Sequence, residues 1–108
     1  MPHPTEFSNV TATCLANVYF QGKVVSHSLT FPDGTKKTLG LIYPGNYHFG
    51  TGAAENMKIT AGSCRVKIDG NDNWTTHPSG DEFNVPANSG FDITVDDGIC
   101  QYICSFIV

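Results

Sequence analysis

The sequence predicts an all-β protein made of one domain, and three observations support this class. Its 108 residues, 40% of them hydrophobic, are enough to build one core. Eleven glycines and six prolines divide the chain into short runs rich in valine, isoleucine, threonine, tyrosine and phenylalanine, as in sandwiches and barrels. No window of about eleven residues or more keeps a helical period of apolar positions. Helix is therefore expected to be minor.

Tight reversals are expected at five places along the chain. At each of them a residue that tolerates positive φ, usually glycine or asparagine, stands between two apolar runs. These turns divide the sequence into segments of strand length. The turn segments are residues 32–35, 44–46, 69–71, 78–80 and 96–98.

Between these turns the chain is predicted to form ten strands. Alternation of apolar and polar residues is clearest in residues 57–60 and 64–68, as expected of strands with one buried face. On the second of these strands Arg65 and Lys67 share a face, which is expected to meet solvent. The predicted strands are residues 18–20, 23–30, 37–42, 45–49, 55–61, 64–68, 73–77, 82–85, 90–95 and 99–108.

The two ends of the chain are expected to differ. Residues 99–108 are nearly all apolar, which predicts either a central strand or a strand covered by a partner chain. Residues 1–16 lack clear periodicity and are interpreted as a flexible arm or an extra edge strand. The domain is expected to span residues 17–108. One small domain cannot easily bury such an apolar last segment by itself, so we expect a homodimer.

Charge and hydropathy argue against several classes of protein. Six basic and ten acidic residues give a net charge of −4, so electrostatic binding to nucleic acid or anionic lipid is not expected. No apolar run approaches the roughly 18–20 residues that span a bilayer. The first six residues have neither a basic stretch nor an apolar core, unlike a secretory signal. We therefore expect a cytoplasmic protein without a membrane partner.

The four cysteines agree with that compartment. Cys14, Cys64, Cys100 and Cys104 form no C-x-x-C pair and have no zinc-ligand spacing. On an extended strand Cys100 and Cys104 lie about 13 Å apart, which is too far for a disulfide. The cysteines are expected to be small buried side chains.

Two spacings define the expected fold more closely. Six residues separate Glu55 from Gly62, and five residues separate Gly80 from Pro86. The first spacing resembles the tail of the first cupin motif, and the second resembles the head of the second cupin motif. This resemblance implies a single-domain cupin, which is a small jelly-roll β-barrel.

The sequence departs from the metal-binding members of that family. In those cupins two histidines and the glutamate of the first motif, with one histidine of the second, hold a metal inside the barrel. At most His48 and Glu55 remain here, and Phe91 stands at the position of the second-motif histidine. Because two such ligands rarely hold a catalytic metal without a third, we expect no metal and no other cofactor.

A closer resemblance rests on several short strings taken together. They resemble the bacterial pyrimidine/purine nucleoside phosphorylase family over about residues 17–106. The resemblance implies a pentosyltransferase that cleaves diverse nucleosides with inorganic phosphate, giving free base and ribose 1-phosphate, without metal and as a homodimer. The strings are residues 17–24 (NVYFQGKV), 45–49 (GNYHF), 55–57 (ENM), 83–86 (FNVP), 89–91 (SGF) and 102–104 (YIC).

Two residues are candidates for the catalytic step. Phosphorolysis breaks the C1′–N bond while phosphate attacks, and positive charge develops on the sugar ring. Glu55, which is inside the barrel by its motif position, is the candidate anion that stabilises this charge. His48 is the candidate acid or hydrogen-bond donor, since histidine changes its charge near neutral pH.

Six further residues are candidates for binding the substrates. Lys23 follows a glycine, where the backbone approaches a ligand closely, and is the candidate contact for phosphate. Asn84 offers a donor and an acceptor to the edge of a base. The remaining candidates are rings on which purines and pyrimidines stack equally well: Tyr47, Phe49, Phe91 and Tyr102.

Two other functions remain open from the sequence alone. The lost metal ligands also permit a module that binds a small ligand without turnover. A metal-dependent cupin enzyme would need ligands outside the motif positions, such as His27 or His77. Phosphate-dependent release of a base in the presence of a chelator distinguishes the phosphorylase from both.

Overall fold

The computed structural model describes residues 3–107, which contain strands and one short 3₁₀ helix, Phe20–Gly22. Within this range there is no helix long and apolar enough to cross a membrane. The strands are β1 Thr11–Ala12, β2 Asn17–Tyr19, β3 Val24–Thr30, β4 Lys36–Ile42, β5 Gly45–Gly50, β6 Ala54–Ala61, β7 Ser63–Ile68, β8 Thr75–Pro78, β9 Glu82–Val85, β10 Gly90–Val95 and β11 Cys100–Ile107.

The all-β class predicted from the sequence is confirmed. The ten predicted strands correspond to β2 through β11, and their described bounds differ from the prediction by at most two residues. Within residues 1–16 the structure adds β1, a two-residue strand at the edge of a sheet. Met1, Pro2 and Val108, which belong to the predicted terminal segments, lie outside the described residues.

The strands form two antiparallel sheets that face each other in a cupin-like jelly roll. The large sheet has the order β1-β3-β4-β11-β6-β9, and β2 also pairs with β3. The small sheet has the order β5-β10-β7-β8. The core lies between the sheets because alternate residues of each strand point inward. Its most deeply buried large side chains include Ile42 and Ile59 from the large sheet and Val66 and Ile93 from the small sheet.

The last strand is central, which accounts for its apolar sequence. β11 pairs with β4 on one side and with β6 on the other. Both of its edges are therefore used within the subunit, and Tyr102, Ile103 and Cys104 are all buried. Of the two sequence-based interpretations of residues 99–108, the central strand is the correct one for the described part.

β3 and β4 have an inverted amphipathic pattern. Their inward positions include the polar residues Ser26 and Thr38, which line a cavity between the sheets. Their outward positions include Leu29, Leu39 and Leu41, which line a groove of about 760 Å³ on the outer face of the large sheet. Residues 3–7 form part of the lining of this groove. The face that usually forms a core points outward here.

Three of the cysteines are buried as predicted, whereas one is not. Cys64, Cys100 and Cys104 are buried within the sandwich, and Cys14 is exposed. The prediction was wrong for Cys14 because that residue lies between β1 and β2, outside both sheets. All four are free thiols. The solvent-facing side predicted for β7 is confirmed by Arg65, whose guanidinium pairs with the exposed Asp96 at 3.0 Å.

Candidate functional site

A cavity of about 200 Å³ lies between the inner faces of the two sheets. It is smaller than the roughly 300 Å³ at the lower end of drug-sized pockets, so it suits a small organic ligand. Seven strands contribute to it, and the two walls differ in chemistry. The lining residues are Tyr19, Ser26, Thr38, Ile42, Phe49, Gly50, Glu55, Met57, Phe91, Tyr102, Cys104 and Phe106.

The polar groups of the cavity lie on the large sheet, which also contributes the apolar Ile42 and Met57; these polar side chains are called the polar wall. Thr38 on β4 and Cys104 on β11 are direct partners across the ladder between these strands. Tyr102 lies two residues before Cys104 and therefore shares its inward face. Ser26 on β3 and Glu55 on β6 complete the wall. Together these side chains present hydroxyl, thiol and carboxylate groups to a ligand that itself carries hydroxyls.

A hydrogen-bond network holds one end of this wall. Asn17 on β2 lies opposite Ser26 in the β2–β3 ladder. Its Nδ2 donates to the hydroxyl oxygens of Ser26 at 3.2 Å and Ser28 at 3.0 Å. Because the Ser26 oxygen accepts from Asn17, its own proton is free to be donated towards Tyr102, which lies beside it.

The wall contributed by the small sheet is aromatic. Phe49 on β5 and Phe91 on β10 are direct partners in the β5–β10 ladder, and their rings lie 5.8 Å apart at an angle of 28°. Tyr19 on β2 meets Phe49 edge to face at 5.8 Å. Phe106 is the fourth ring that lines the cavity, and it comes from β11 in the large sheet. Flat, apolar surfaces of this kind suit a planar heterocycle.

The carboxyl group of Glu55 lies half-buried on the polar wall. Burial raises its pKa above the ordinary value, because the charged form loses solvation, and a hydrogen bond from Cys104 partly opposes this. In turn, burial and the nearby charge of Glu55 raise the pKa of Cys104 to about 12. The thiol therefore stays protonated at neutral pH and acts as a donor, not as a thiolate nucleophile.

Tyr102 occupies its place because the residue beneath it is glycine. Gly40 is the direct partner of Tyr102 in the β4–β11 ladder. A Cβ atom at Gly40 would overlap the ring of Tyr102 and would lie 2.5 Å from its hydroxyl oxygen. Burial raises the pKa of Tyr102, so the hydroxyl remains neutral and available as a donor.

Half of the predicted site residues meet at this cavity. They come from β5, β6, β10 and β11, which are distant in sequence but face one another across the sandwich. Their meeting supports the assignment of this cavity as the candidate site. These residues are Phe49, Glu55, Phe91 and Tyr102.

The structure does not bring His48 or Asn84 to the cavity. His48 lies between the inward residues of β5 and points outward, where its Nε2 is 3.0 Å from a carboxylate oxygen of Asp69. Asn84 lies on the outer face of β9, and its Oδ1 accepts a hydrogen bond from Asn56 Nδ2 at 3.0 Å. Each is flanked by inward side chains, so the alternation of the strand turns it outward.

Lys23 and Tyr47 also lie outside the lining. Lys23 is exposed and follows the 3₁₀ helix, and its backbone N–H donates to the carbonyl of Phe20 at 3.2 Å. Tyr47 is inward but buried in the core. Its hydroxyl donates to the backbone carbonyls of Tyr43 at 2.7 Å and Pro44 at 3.0 Å. The hydroxyl of Tyr47 therefore stabilises the turn between β4 and β5 and does not face a ligand.

The donor set does not fit the metal site of metal-binding cupins. The two residues that the motif comparison retained do not meet, since His48 points outward from the small sheet and Glu55 points into the cavity from the large sheet. Phe91 lines the cavity at the second-motif position. Within residues 3–107, no three His, Cys, Asp or Glu side chains are grouped to hold an ion.

Several lining residues were not among the sequence-based candidates. Small polar side chains at alternate positions of β3 and β4 are the signal that identifies some of them, because such a pattern marks a polar inner face. The aromatic members of β2 and β11 give no comparable signal, since aromatic residues in strands are usually core. The lining residues missed are Tyr19, Ser26, Thr38, Ile42, Gly50, Met57, Cys104 and Phe106.

Solved structures share this fold along almost the whole chain. A crystal structure of a protein of unknown function from Acinetobacter sp. ADP1 superposes with a TM-score of 0.91 at 41% sequence identity, covering 94% of this chain and 98% of that one. A protein of unknown function from Vibrio parahaemolyticus superposes with a TM-score of 0.81 at 35% identity, covering 93% of this chain and 100% of that one.

The sequence comparisons identify the family. Residues 14–106 match the family model of pyrimidine/purine nucleoside phosphorylase. A protein of that name from Burkholderia ambifaria is 51% identical over 107 residues, which cover 99% of this chain and 100% of the relative. This agrees with the resemblance that the short sequence strings indicate. The chain therefore belongs to the pyrimidine/purine nucleoside phosphorylase family.

Proposed function

We propose that this protein is a pentosyltransferase that cleaves purine and pyrimidine nucleosides with inorganic phosphate, giving free base and ribose 1-phosphate. The proposal includes a metal-independent reaction and a role in nucleoside salvage in the cytoplasm. Relatives that match 99% of this chain are named pyrimidine/purine nucleoside phosphorylase, which supports the proposal. The observation that carries the proposal is the cavity itself, in which a polar wall with one carboxylate faces an aromatic wall.

The two walls suggest how a nucleoside binds. The base stacks on Phe49 and Phe91, whose rings form the aromatic wall. The ribose then lies against the large sheet, where Ser26, Thr38 and Tyr102 donate to its hydroxyls or accept from them. Stacking depends on the flat face that every base has and reads little of its edge, so this mode accepts purines and pyrimidines alike.

Glu55 supplies the charge that the reaction needs. An oxygen of phosphate forms a bond to C1′ while the C1′–N bond breaks, and the base leaves with the bonding electrons and takes a proton from solvent. Between these events the ribosyl ring carries positive charge. The carboxylate of Glu55, half-buried among neutral groups, stabilises this charge more strongly than a carboxylate in water would. His48 has no step in this scheme because it points away from the cavity.

The proposed activity is tested with purified protein and with uridine or adenosine as the substrate. Free base is measured by chromatography with and without phosphate, and with a chelator present. We expect release that requires phosphate and survives chelation. Activity that the chelator abolishes would indicate a metal-dependent enzyme, and tight nucleoside binding without turnover would indicate a binding module.

We also propose that the subunit forms a homodimer through the outer face of the large sheet. The groove of about 760 Å³ there is lined by Leu39 and Leu41, and Leu39 is 40% exposed in the single subunit. Residues 3–7 also line this groove, and Leu39 stays exposed beside them. A second copy of the chain is the occupant that would cover the remainder, since apolar patches of this kind are usual at subunit interfaces.

Replacing Leu39 with aspartate is expected to convert the dimer to a monomer. A charge placed in an apolar interface would lose its solvation without gaining a partner. Light scattering at micromolar concentration measures the mass, and circular dichroism checks the fold. Thr76→Asp, on the outer face of β8, is the matched control and should stay dimeric. A monomeric native protein would overturn this proposal.

A further inference from the structure

The proposed reaction brings a phosphate dianion to a cavity that lacks a cation in its lining. Within the described residues, the twelve that line it include one acid, Glu55, and no lysine or arginine. The chain as a whole carries a net charge of −4, which repels an anion at long range. A nearby positive charge is therefore needed to hold phosphate beside the sugar.

Most of the positive side chains are turned away from the cavity. Three of them contact partners on the outer faces of the sheets, and Lys67 shares the solvent-facing side of β7 with Arg65. Lys37 Nζ donates to the Ser105 hydroxyl at 2.7 Å. Lys58 Nζ lies 3.9 Å from a Glu82 oxygen, and the Arg65 guanidinium lies 3.0 Å from an Asp96 oxygen.

Lys23 and Lys36 lie at opposite ends of the β3–β4 ladder. The backbone carbonyl of Lys23 accepts from the N–H of Tyr43, beyond the end of β4. Lys36 pairs with Thr30 at the other end. This second end is where Glu55 lies, because the β11–β6 ladder pairs Glu55 with Phe106.

Lys36 is on the inner face of its strand. It precedes Thr38 by two residues, and alternate residues share a face, so both belong to the side that lines the cavity. Their Cα atoms are separated by roughly 7 Å, a distance comparable to the length of a lysine side chain. Since Ser105 pairs with Lys37, the next residue of β11, Phe106, lies beside Lys36. Lys36, Phe106 and Glu55 therefore stand side by side on three adjacent strands.

We infer that Lys36 is the residue that docks phosphate at the rim of the cavity, next to the end of the polar wall that carries Glu55. This inference rests on the proposed phosphorolysis. Lys36 is exposed, and none of the ion pairs among residues 3–107 involves it. Its ammonium group is available to an anion from solvent. Phosphate held there lies on the inner side of the sheet, beside the wall that binds the ribose.

The test is a kinetic comparison of the native protein with Lys36→Gln and Lys36→Arg. Phosphate is varied at saturating uridine, and uridine is then varied at saturating phosphate. Lys36→Gln is expected to raise the KM for phosphate by about tenfold or more, because a charge-assisted hydrogen bond is lost, and to leave the KM for uridine within about twofold. Lys36→Arg should retain most of the affinity.

Lys67→Gln is the matched control, since it removes the same charge from the outer face of the small sheet. It should leave both KM values unchanged. A KM for phosphate that is the same in Lys36→Gln as in the native protein would overturn the inference. So would an equal increase in Lys67→Gln, because that result would indicate a general effect of net charge.

Binding of inorganic phosphate, followed by ³¹P resonance broadening in the absence of nucleoside, separates this inference from the proposed function. If the native protein releases no base, the proposed phosphorolysis fails, and the broadening still tests Lys36. Broadening in the native protein that Lys36→Gln abolishes supports the inference. Equal broadening in both proteins, or none in the native protein, overturns it.

Discussion

Replacing Glu55 with glutamine is expected to lower the kcat for nucleoside phosphorolysis by about tenfold or more. Glutamine keeps the shape and the hydrogen-bonding reach of the side chain but removes the negative charge. The charge is what stabilises the positive ribosyl ring, so the loss appears in the chemical step more than in the binding of the nucleoside. Steady-state kinetics with uridine measure both parameters.

The same substitution is expected to maintain or raise the thermal stability at neutral pH. Burial raises the pKa of Glu55 in the folded protein, so the ionised carboxylate is less stable there than in the unfolded chain. This penalty is present above the folded pKa and is absent below the unfolded pKa, where both states are protonated. Any stability advantage of Glu55→Gln should therefore disappear as the pH falls through the acidic range.

The pH dependence of the native enzyme provides a second measurement. Because the reaction needs the ionised form of Glu55, kcat/KM should fall as the pH falls, through an acidic limb that lies above the ordinary pKa of glutamate. Glu82→Gln, which changes an exposed carboxylate on the outer face of β9, is the matched control for charge. Unchanged turnover in Glu55→Gln would remove this residue from the mechanism.

Replacing Gly40 with alanine is expected to destabilise the fold by about 3 kcal/mol. The added methyl group would occupy the space of the Tyr102 ring, and its Cβ would lie 2.5 Å from the hydroxyl oxygen. Gly40 and Tyr102 lie on two adjacent strands inside the large sheet, where the backbone has little room to move. The ring would have to rotate into the cavity, which would also weaken nucleoside binding.

Thermal and denaturant unfolding measure this effect. For a domain of this size the loss corresponds to a fall in Tm of more than about 10 °C. Gly52→Ala is the matched control, because a Cβ atom there meets nothing within 4 Å, and it should unfold like the native protein. In a Tyr102→Ala background the effect of Gly40→Ala should shrink, since the colliding ring is gone. A native-like stability of Gly40→Ala would contradict the packing described here.

The strands were predictable because local chemistry determines them. The turn at Asp33 and Gly34 illustrates this, since Asp33 Oδ1 accepts from the Thr35 N–H at 2.9 Å and Gly34 has a φ of +89°. Motif spacing likewise led to Glu55, and Phe49 and Phe91 were candidates as rings that stack a base; the structure adds that they are paired. These features depend on residues close together in sequence or on spacings that the family shares.

Whether some site residues point inward or outward was not predicted, although the two-residue period of a β-strand determines this. Tyr47 and Phe49 point inward, so His48 between them points outward, and the same holds for Asn84 between Phe83 and Val85. A motif match identifies a position in the chain, but it does not say on which face of the strand the side chain lies. The polar wall was missed for another reason: serine and threonine on an inner face run against the usual expectation that apolar residues point inward.

The inverted pattern of β3 and β4 connects folding with assembly in the proposed dimer. Leu39 on their outer face is 40% exposed in the single subunit, so it gains its full hydrophobic contribution only when a second subunit covers it. Part of the free energy that stabilises each subunit is then subject to mass action, and it grows with the concentration of protein. In the proposed dimer, the stability of the fold that forms the cavity therefore depends on how much of the protein is present.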